Sequence, residues 1–130
     1  RSQFSSAGRA AIDAHIPDTR RLATLDRARL VTEQQDWVLK SDYGCEGAET
    51  LVGAFTPEAE WRMALEMAIP HHWVAQRFFR VVPDESGALI NFGVYLVGGA
   101  AAGFLTRLSK GATTYRARTA PTYLQAGARA

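Results

Sequence analysis

The sequence predicts a mainly α-helical protein with short amphipathic helices, one transmembrane helix and an extended basic tail. The first observation is a stretch of 20 residues without any charge, GALINFGVYLVGGAAAGFLT, at 87–106. As a helix it would reach about 30 Å, the thickness of a bilayer's hydrocarbon core. Aromatic and arginine residues precede this stretch, and the chain after it carries five basic residues and no acidic one. Together these features favour a chain that crosses a membrane once.

Residues 1–17 are predicted to form an extended N-terminal segment. Its first part, RSQFSSAGRAAI, is rich in Arg, Ser and Ala and contains no acidic residue before Asp13. This composition is typical of the remains of an organellar transit peptide. A disordered terminus is an equally acceptable explanation, and the two are compatible.

Residues 18–82 are predicted to form a helical region outside the membrane. Asp18 or Thr19 can cap a first helix that runs to about Lys40. A second helix begins at Thr56-Pro57-Glu58, which combines a hydroxyl cap, proline at the first helical position and an acidic first turn. Its apolar stripe indicates a packing surface.

The segment 71–82, HHWVAQRFFRVV, predicts an interfacial helix. Aromatic rings anchor at the headgroup level of a bilayer, where arginine side chains also reach the water. An anionic lipid such as cardiolipin is therefore a candidate partner. In a soluble protein the same aromatic side chains would belong to the core, and the arginines would lie at its rim. The candidate membrane-interface and lipid-contacting residues are Trp73, Arg77, Phe78, Arg80, Arg107 and Lys110.

The predicted transmembrane helix, 87–106, has one face of small or polar residues. Within this face, Gly99 and Gly103 have the GxxxG spacing that lets a second helix approach closely. The opposite face is bulky and apolar, as lipid contact requires. The sequence therefore predicts helix packing through Asn91, Tyr95, Gly99, Gly103 and Thr106.

The sequence of 87–106 suggests two other interpretations. One is a buried, Ala/Gly-rich helix of a soluble protein. The other is a strand, NFGVYLV, that runs into a phosphate-binding loop, GGAAAG. The loop interpretation fails on spacing, because a dinucleotide fingerprint needs G-x-G-x-x-G and an acidic residue about 20 positions later. No acidic residue follows Glu85.

The charges are distributed unevenly along the chain. The residues before 87 carry ten basic and thirteen acidic side chains, and the predicted extended tail, 107–130, carries five basic ones. A basic tail suits the electrically negative side of a membrane. Arg77 and Arg80 flank the other end of the span, so the orientation stays open. No nucleic-acid partner is predicted, since Tyr115 and Tyr123 alone could stack on bases in the tail.

No catalytic, cofactor-binding or metal site is predicted, and the chain is not expected to be an enzyme. Cys45 is the single cysteine, which excludes a disulfide framework and a paired-cysteine metal site. His71 and His72 are neighbours and would point about 100° apart on a helix, so they could not ligate one metal from one face. A small enzyme or redox carrier that uses Cys45 or the histidines is the least favoured alternative.

Residues 1–12, 71–82 and 87–106 together resemble the single-span supernumerary subunits of mitochondrial respiratory complexes, especially NADH:ubiquinone oxidoreductase (complex I). The likeness is one of architecture. It implies a non-catalytic accessory subunit in the mitochondrial inner membrane that stabilises a multisubunit energy-transducing complex, with the other subunits as partners. Accessory subunits of ATP synthase share this shape. The alternative is a soluble helical protein-interaction module in which 87–106 is the buried core helix.

Overall fold

The chain folds into two units, Arg1–Arg80 and Val81–Ala130, each with its own antiparallel sheet. The computed structural model describes residues 3–44, 49–111 and 116–123. Within these ranges there are seven strands and three α-helices, together with short 3₁₀ turns. The fold is therefore mixed α/β, and the mainly α-helical prediction is wrong.

Unit 1 alternates short helices and short strands. Its helices are α1 (Ser6–His15), α2 (Arg27–Thr32) and α3 (Glu58–Met67), and its strands are β1 (Thr19–Arg21), β2 (Trp37–Ser41), β3 (Thr50–Val52) and β4 (Trp73–Arg77). The 3₁₀ turns are Leu22–Thr24, Gln34–Asp36 and Gly53–Phe55.

The sheet of unit 1 has the strand order β1-β4-β2-β3, and all of its pairs are antiparallel. Side chains alternate between the two faces of a strand, so Trp37 and Leu39 of β2 point to the same face as Ala75 of β4. This face carries the core, to which α2 contributes Leu30. The buried core residues are Leu22, Leu30, Trp37, Leu39, Trp61, Leu65, Ala68 and Ala75.

Helix α3 covers the core because its apolar residues recur at helical spacing. Trp61, Leu65 and Ala68 are all buried, while acidic side chains occupy the first turn, where the helix dipole favours them. The indole N–H of Trp61 donates to the backbone oxygen of Leu30 at 2.9 Å, so the largest buried side chain of α3 leaves no polar atom unpaired.

Gly53 marks the closest backbone approach in unit 1. A Cβ at this position would lie 1.9 Å from the backbone oxygen of Gln34 and 3.0 Å from that of Trp37. The side-chain amide of Gln34 closes the same corner by donating to the backbone oxygens of Gly53 (3.0 Å) and Thr56 (2.7 Å). The turn between β3 and α3 is thus fixed against the start of β2.

Unit 2 is a three-stranded antiparallel sheet with the order β5-β6-β7. The strands are β5 (Leu89–Val97), β6 (Ala100–Ser109) and β7 (Arg118–Ala120). β5 and β6 form a long hairpin, hereafter the β5–β6 hairpin, whose register shifts once because Ala102 has no partner on β5. β7 pairs only with residues 106–108 of β6.

The structure corrects the predicted elements one by one. The segment 87–106 forms two strands and a turn, so the predicted transmembrane helix and the alternative buried core helix are both wrong. The predicted location, a single pass through the mitochondrial inner membrane, depended on that span and is wrong as well. No helix in the described ranges has the length and apolar character needed to cross a membrane. Residues 73–77 of the expected interfacial helix are β4, and the expected helix from 18 to about 40 is instead β1, α2 and β2.

The two ends of the chain also differ from expectation. The N-terminal segment expected to be extended contains α1, which has no buried residue. The segment expected to be an extended tail contains the end of β6 and all of β7.

Candidate interaction surface

The outer side of β5 is unlike the other sheet edges. β1, β3 and β7 are edge strands of three residues each, whereas β5 is an edge strand of nine. No strand of the described residues pairs with the outer side of β5. An edge strand leaves a row of N–H and C=O groups free to pair with another chain. The longest such row in the described part of the protein belongs to β5.

Many side chains of the β5–β6 hairpin are both apolar and exposed. In the described residues of unit 2, Thr106 alone is buried. Six large apolar side chains in the hairpin are between 38% and 72% exposed, and these are Phe92, Val94, Tyr95, Leu96, Val97 and Phe104. The other four, Leu89, Ile90, Leu105 and Leu108, are half-buried. A sheet normally covers at least one apolar face with another layer. Both faces of this hairpin therefore present surface typical of a binding site.

The hairpin turn explains why the two strands stay together. Val97 pairs with Ala100, which leaves Gly98 and Gly99 as the two turn residues. Their φ angles are 58° and 81°. A two-residue type I′ turn needs positive φ at both positions, and glycine adopts it without steric cost.

A hydrogen-bonded turn leads into β5. The Asp84 carboxylate accepts from the backbone N–H groups of Ser86 and Ala88, both at 2.9 Å, and from the Ser86 hydroxyl at 2.7 Å. The Ser86 hydroxyl and these backbone groups hold the pKa of Asp84 below its ordinary value. Gly87 completes the turn with a φ of 78°. The start of the hairpin is thereby fixed by local hydrogen bonds.

The residues predicted to pack against another helix lie in this hairpin, but they do not form one stripe. Tyr95 stands directly opposite Gly103, and Asn91 stands opposite Arg107, so these share one face of the sheet. Thr106 stands opposite Phe92 on the other face, where its hydroxyl hydrogen-bonds to that of Thr122. Gly99 is a turn residue.

The predicted membrane-interface residues divide between the two units. Arg107 belongs to β6, and Lys110 follows it. The other four, Trp73, Arg77, Phe78 and Arg80, belong to unit 1. There Trp73 packs against the core, Phe78 meets the ring of Phe55 edge-on at 5.8 Å, and the Arg80 guanidinium lies 5.9 Å from the Phe78 ring.

Arg77 takes part in a local charge cluster. Its guanidinium lies 4.1 Å from the centroid of the Trp37 ring and 3.0 Å from the Glu33 carboxylate. Glu33 also accepts from Arg29 at 2.8 Å and from the Trp37 indole N–H at 3.2 Å. The bond from Arg29, with help from Trp37 and the charge of Arg77, lowers the pKa of Glu33. This cluster closes one side of the core, and contact of Arg77 with lipid stays a prediction.

The outer face of the unit 1 sheet carries a row of polar side chains. Lys40 donates to the Gln76 amide oxygen at 2.6 Å, and the Gln76 amide nitrogen donates to the Thr19 hydroxyl at 2.8 Å. Partial burial lowers the pKa of Lys40. The row is satisfied by its own hydrogen bonds and lies on three adjacent strands, which is the arrangement of a structural ladder.

The remaining chemically reactive residues do not assemble in the described structure. His15 ends α1, while His71 and His72 precede β4, and the His72 ring contacts Tyr43 with centroids 5.6 Å apart. Within the described ranges, no three His, Cys, Asp or Glu side chains gather to hold a metal ion. Cys45 lies outside the described residues.

Open depressions occur in the described part of unit 1. One, of about 500 Å³, is lined by the end of α1 and by Arg77 to Phe79, and one of about 420 Å³ lies between α2 and α3. Both are lined by residues of unit 1 alone.

Sequence reasoning missed the exposed apolar residues of β5, chiefly Phe92, Val94 and Leu96, as an interaction surface. The available signal was Gly-Gly between two segments of which the first is rich in β-branched and aromatic residues, which is the pattern of a β-hairpin. The strand NFGVYLV had been considered only as the approach to a phosphate loop.

No protein-family model, curated protein or solved structure matches this chain. Its function is therefore argued from its own residues.

Proposed function

We propose that this chain is a non-catalytic protein-interaction module that binds another protein chain through the β5–β6 hairpin. The observation that carries the proposal is the exposure of the hairpin's apolar side chains on a sheet with a nine-residue free edge. Water contact with such side chains is unfavourable, and fully burying one contributes about 1.5–3 kcal/mol. A protein partner can cover the side chains and pair with the backbone at once.

Unit 1 supports this role as the folded body of the chain. It has eight buried core residues of its own, whereas the described part of unit 2 buries Thr106 alone. A three-stranded sheet without a covered face has little to stabilise it in isolation. The division of burial between the units favours a stable domain that carries a binding element.

Membership of a respiratory complex stays a prediction that rests on the sequence resemblance. The single span that formed part of that resemblance is absent, and the proposal does not include it. An accessory role in some multisubunit assembly is compatible with the proposed binding element.

The experiment compares two phenylalanines of nearly equal exposure. Phe92 is 60% exposed in the hairpin, and Phe79 is 57% exposed in unit 1. The tagged chain is purified from its source cells as wild type, Phe92→Ser and Phe79→Ser, and co-purifying proteins are quantified by mass spectrometry. We expect one protein in near-equimolar amount, reduced at least about tenfold by Phe92→Ser only, a loss of about 1.4 kcal/mol of binding free energy. The proposal would be refuted if all three samples contain the same proteins and a differently tagged second copy of the chain co-purifies with none of them or equally with all of them.

A further inference from the structure

We infer that the partner of the β5 edge is a second copy of this chain, and that two hairpins join edge to edge in one antiparallel sheet. The inference rests on the proposed function, because it names the chain that completes the hairpin. β5 has nine residues, no charge and no proline, and the bulge at Ala102 lies on β6. Proteins usually block an exposed edge with charged residues, a proline or a bulge in the edge strand itself. Their absence from β5 indicates an edge that is meant to pair.

A two-fold axis through the middle of β5 pairs the strand with itself over its full length. The central residue of Leu89–Val97 is Gly93, so the axis would pass there. Phe92 of one copy then faces Val94 of the other, and Ile90 faces Leu96. Aromatic and branched apolar pairs of this kind stabilise antiparallel strands. Because Gly93 has no side chain, the two copies meet at the axis without a steric conflict.

The charge pattern favours a second copy over a different partner. Self-pairing about Gly93 places the residues before the axis opposite the residues after it in the other copy, and a charge in an edge strand opposes such pairing. Because β5 carries no charge, none of these pairs contains one. An edge that selects a foreign strand gains specificity from charges or other repulsive features, and β5 carries none.

The rest of the sheet indicates a closed pair instead of a growing fibre. On the far side, β7 is three residues long, begins with the charged Arg118 and is followed by Pro121. Short length, charge and proline protect an edge from further pairing. The outer side of β6 is covered by β7 at residues 106–108 and interrupted by the bulge at Ala102. Pairing about a two-fold axis uses the same β5 edge in both copies, so it produces an isologous dimer.

The first test measures the mass of the purified full-length chain by light scattering across a range of concentrations. We expect twice the chain mass of 14.2 kDa for the wild type. Val94→Lys puts a charge in the paired edge and should raise the dissociation constant at least about tenfold. Val82→Lys changes the same residue type at an exposed position outside the strand and should leave the dimer intact.

The second test fixes the register through a symmetric disulfide in a Cys45→Ser background. At Gly93, an added Cβ would touch only Leu105, at 3.6 and 3.7 Å, so Gly93→Cys is compatible with the fold. Two copies of this variant should form a covalent dimer on mild oxidation. In Val97→Cys, the two cysteines would be eight residues apart along the paired strands, about 27 Å, which no disulfide can bridge.

The outcomes separate the two proposals. A monomer at all concentrations, or equal cross-linking of Gly93→Cys and Val97→Cys, overturns the self-pairing. A mass that continues to rise beyond the dimer overturns the closed pair. If the chain is monomeric but Phe92→Ser still removes a different co-purifying protein, the interaction module stands with a foreign partner. If neither a dimer nor a hairpin-dependent protein is found, both proposals fail.

Discussion

Replacing Gly53 by alanine is expected to destabilise unit 1 strongly. The added Cβ would meet three backbone atoms: the oxygen of Gln34 at 1.9 Å, its carbonyl carbon at 2.8 Å and the oxygen of Trp37 at 3.0 Å. Ordinary contacts begin at 3.4 Å, so the two segments must separate by about 1.5 Å. Such a shift also stretches the bonds from the Gln34 amide to the oxygens of Gly53 and Thr56.

The expected loss follows from the kind of atom that must move. Inserting one methyl group into a packed site costs about 1–3 kcal/mol, and rigid backbone places this substitution at the upper end or above. We expect the free energy of unfolding to fall by about 3 kcal/mol, and the melting temperature of a unit of this size to fall by roughly 12 °C or more. Gly8→Ala should show no loss, because its Cβ would meet neighbours no closer than 3.4 Å in a helix that favours alanine.

Tryptophan fluorescence during urea unfolding measures this change directly. All three tryptophans, Trp37, Trp61 and Trp73, belong to unit 1, so the signal reports the unit that contains Gly53. The transition midpoint should move to lower urea with the slope unchanged. A loss below about 1 kcal/mol would mean that the close approach of the two backbone segments is absent, since even modest overpacking exceeds that value.

Three further changes test other parts of the structure. Trp61→Phe removes the bond to the buried oxygen of Leu30 and should cost about 1–3 kcal/mol in the same urea assay. Because the pKa of Glu33 is lowered in the folded chain, its contribution to stability is full above the ordinary value of 4.5 and is lost as the pH falls through the lowered pKa. Glu33→Gln should therefore reduce the difference in melting temperature between pH 7 and pH 3. At the hairpin turn, Gly99→Val should weaken the expected dimer, as measured by light scattering, because valine does not tolerate the positive φ of this position. Gly98→Asn should preserve the dimer, because asparagine tolerates positive φ.

The helix α3 was predictable from local signals alone. The acidic first turn and the apolar residues at helical spacing are found as expected. The predicted cap is wrong by one residue, because Pro57 is the cap position and the Thr56 hydroxyl donates to the Val52 backbone oxygen at 2.9 Å instead of capping the helix. Trp61 and Leu65 are buried as the stripe predicts. The helix dipole and the apolar periodicity act within ten residues, so no knowledge of the tertiary fold was needed.

The segment 87–106 was misread because length and the lack of charge do not distinguish one long helix from two apolar strands. The deciding feature was Gly98-Gly99, which is costly in the middle of a helix and ideal in a two-residue turn. The pairing of β4 with β1 and β2 could not be predicted from the sequence either. It depends on residues such as Thr19 and Gln76, which lie far apart in the sequence and carry no local sign of their contact.

The position of β4 sets the order in which unit 1 can be made. β4 is the last strand of the unit to leave the ribosome, yet it lies between β1 and β2 in the sheet. Until Arg77 has been synthesised, β1 has no neighbour and the core lacks the strand that carries Ala75. A nascent chain that stops before this point can pair β2 only with β3. Adding β1 to the sheet requires β4 and must bridge more than fifty residues, which slows folding of the whole unit.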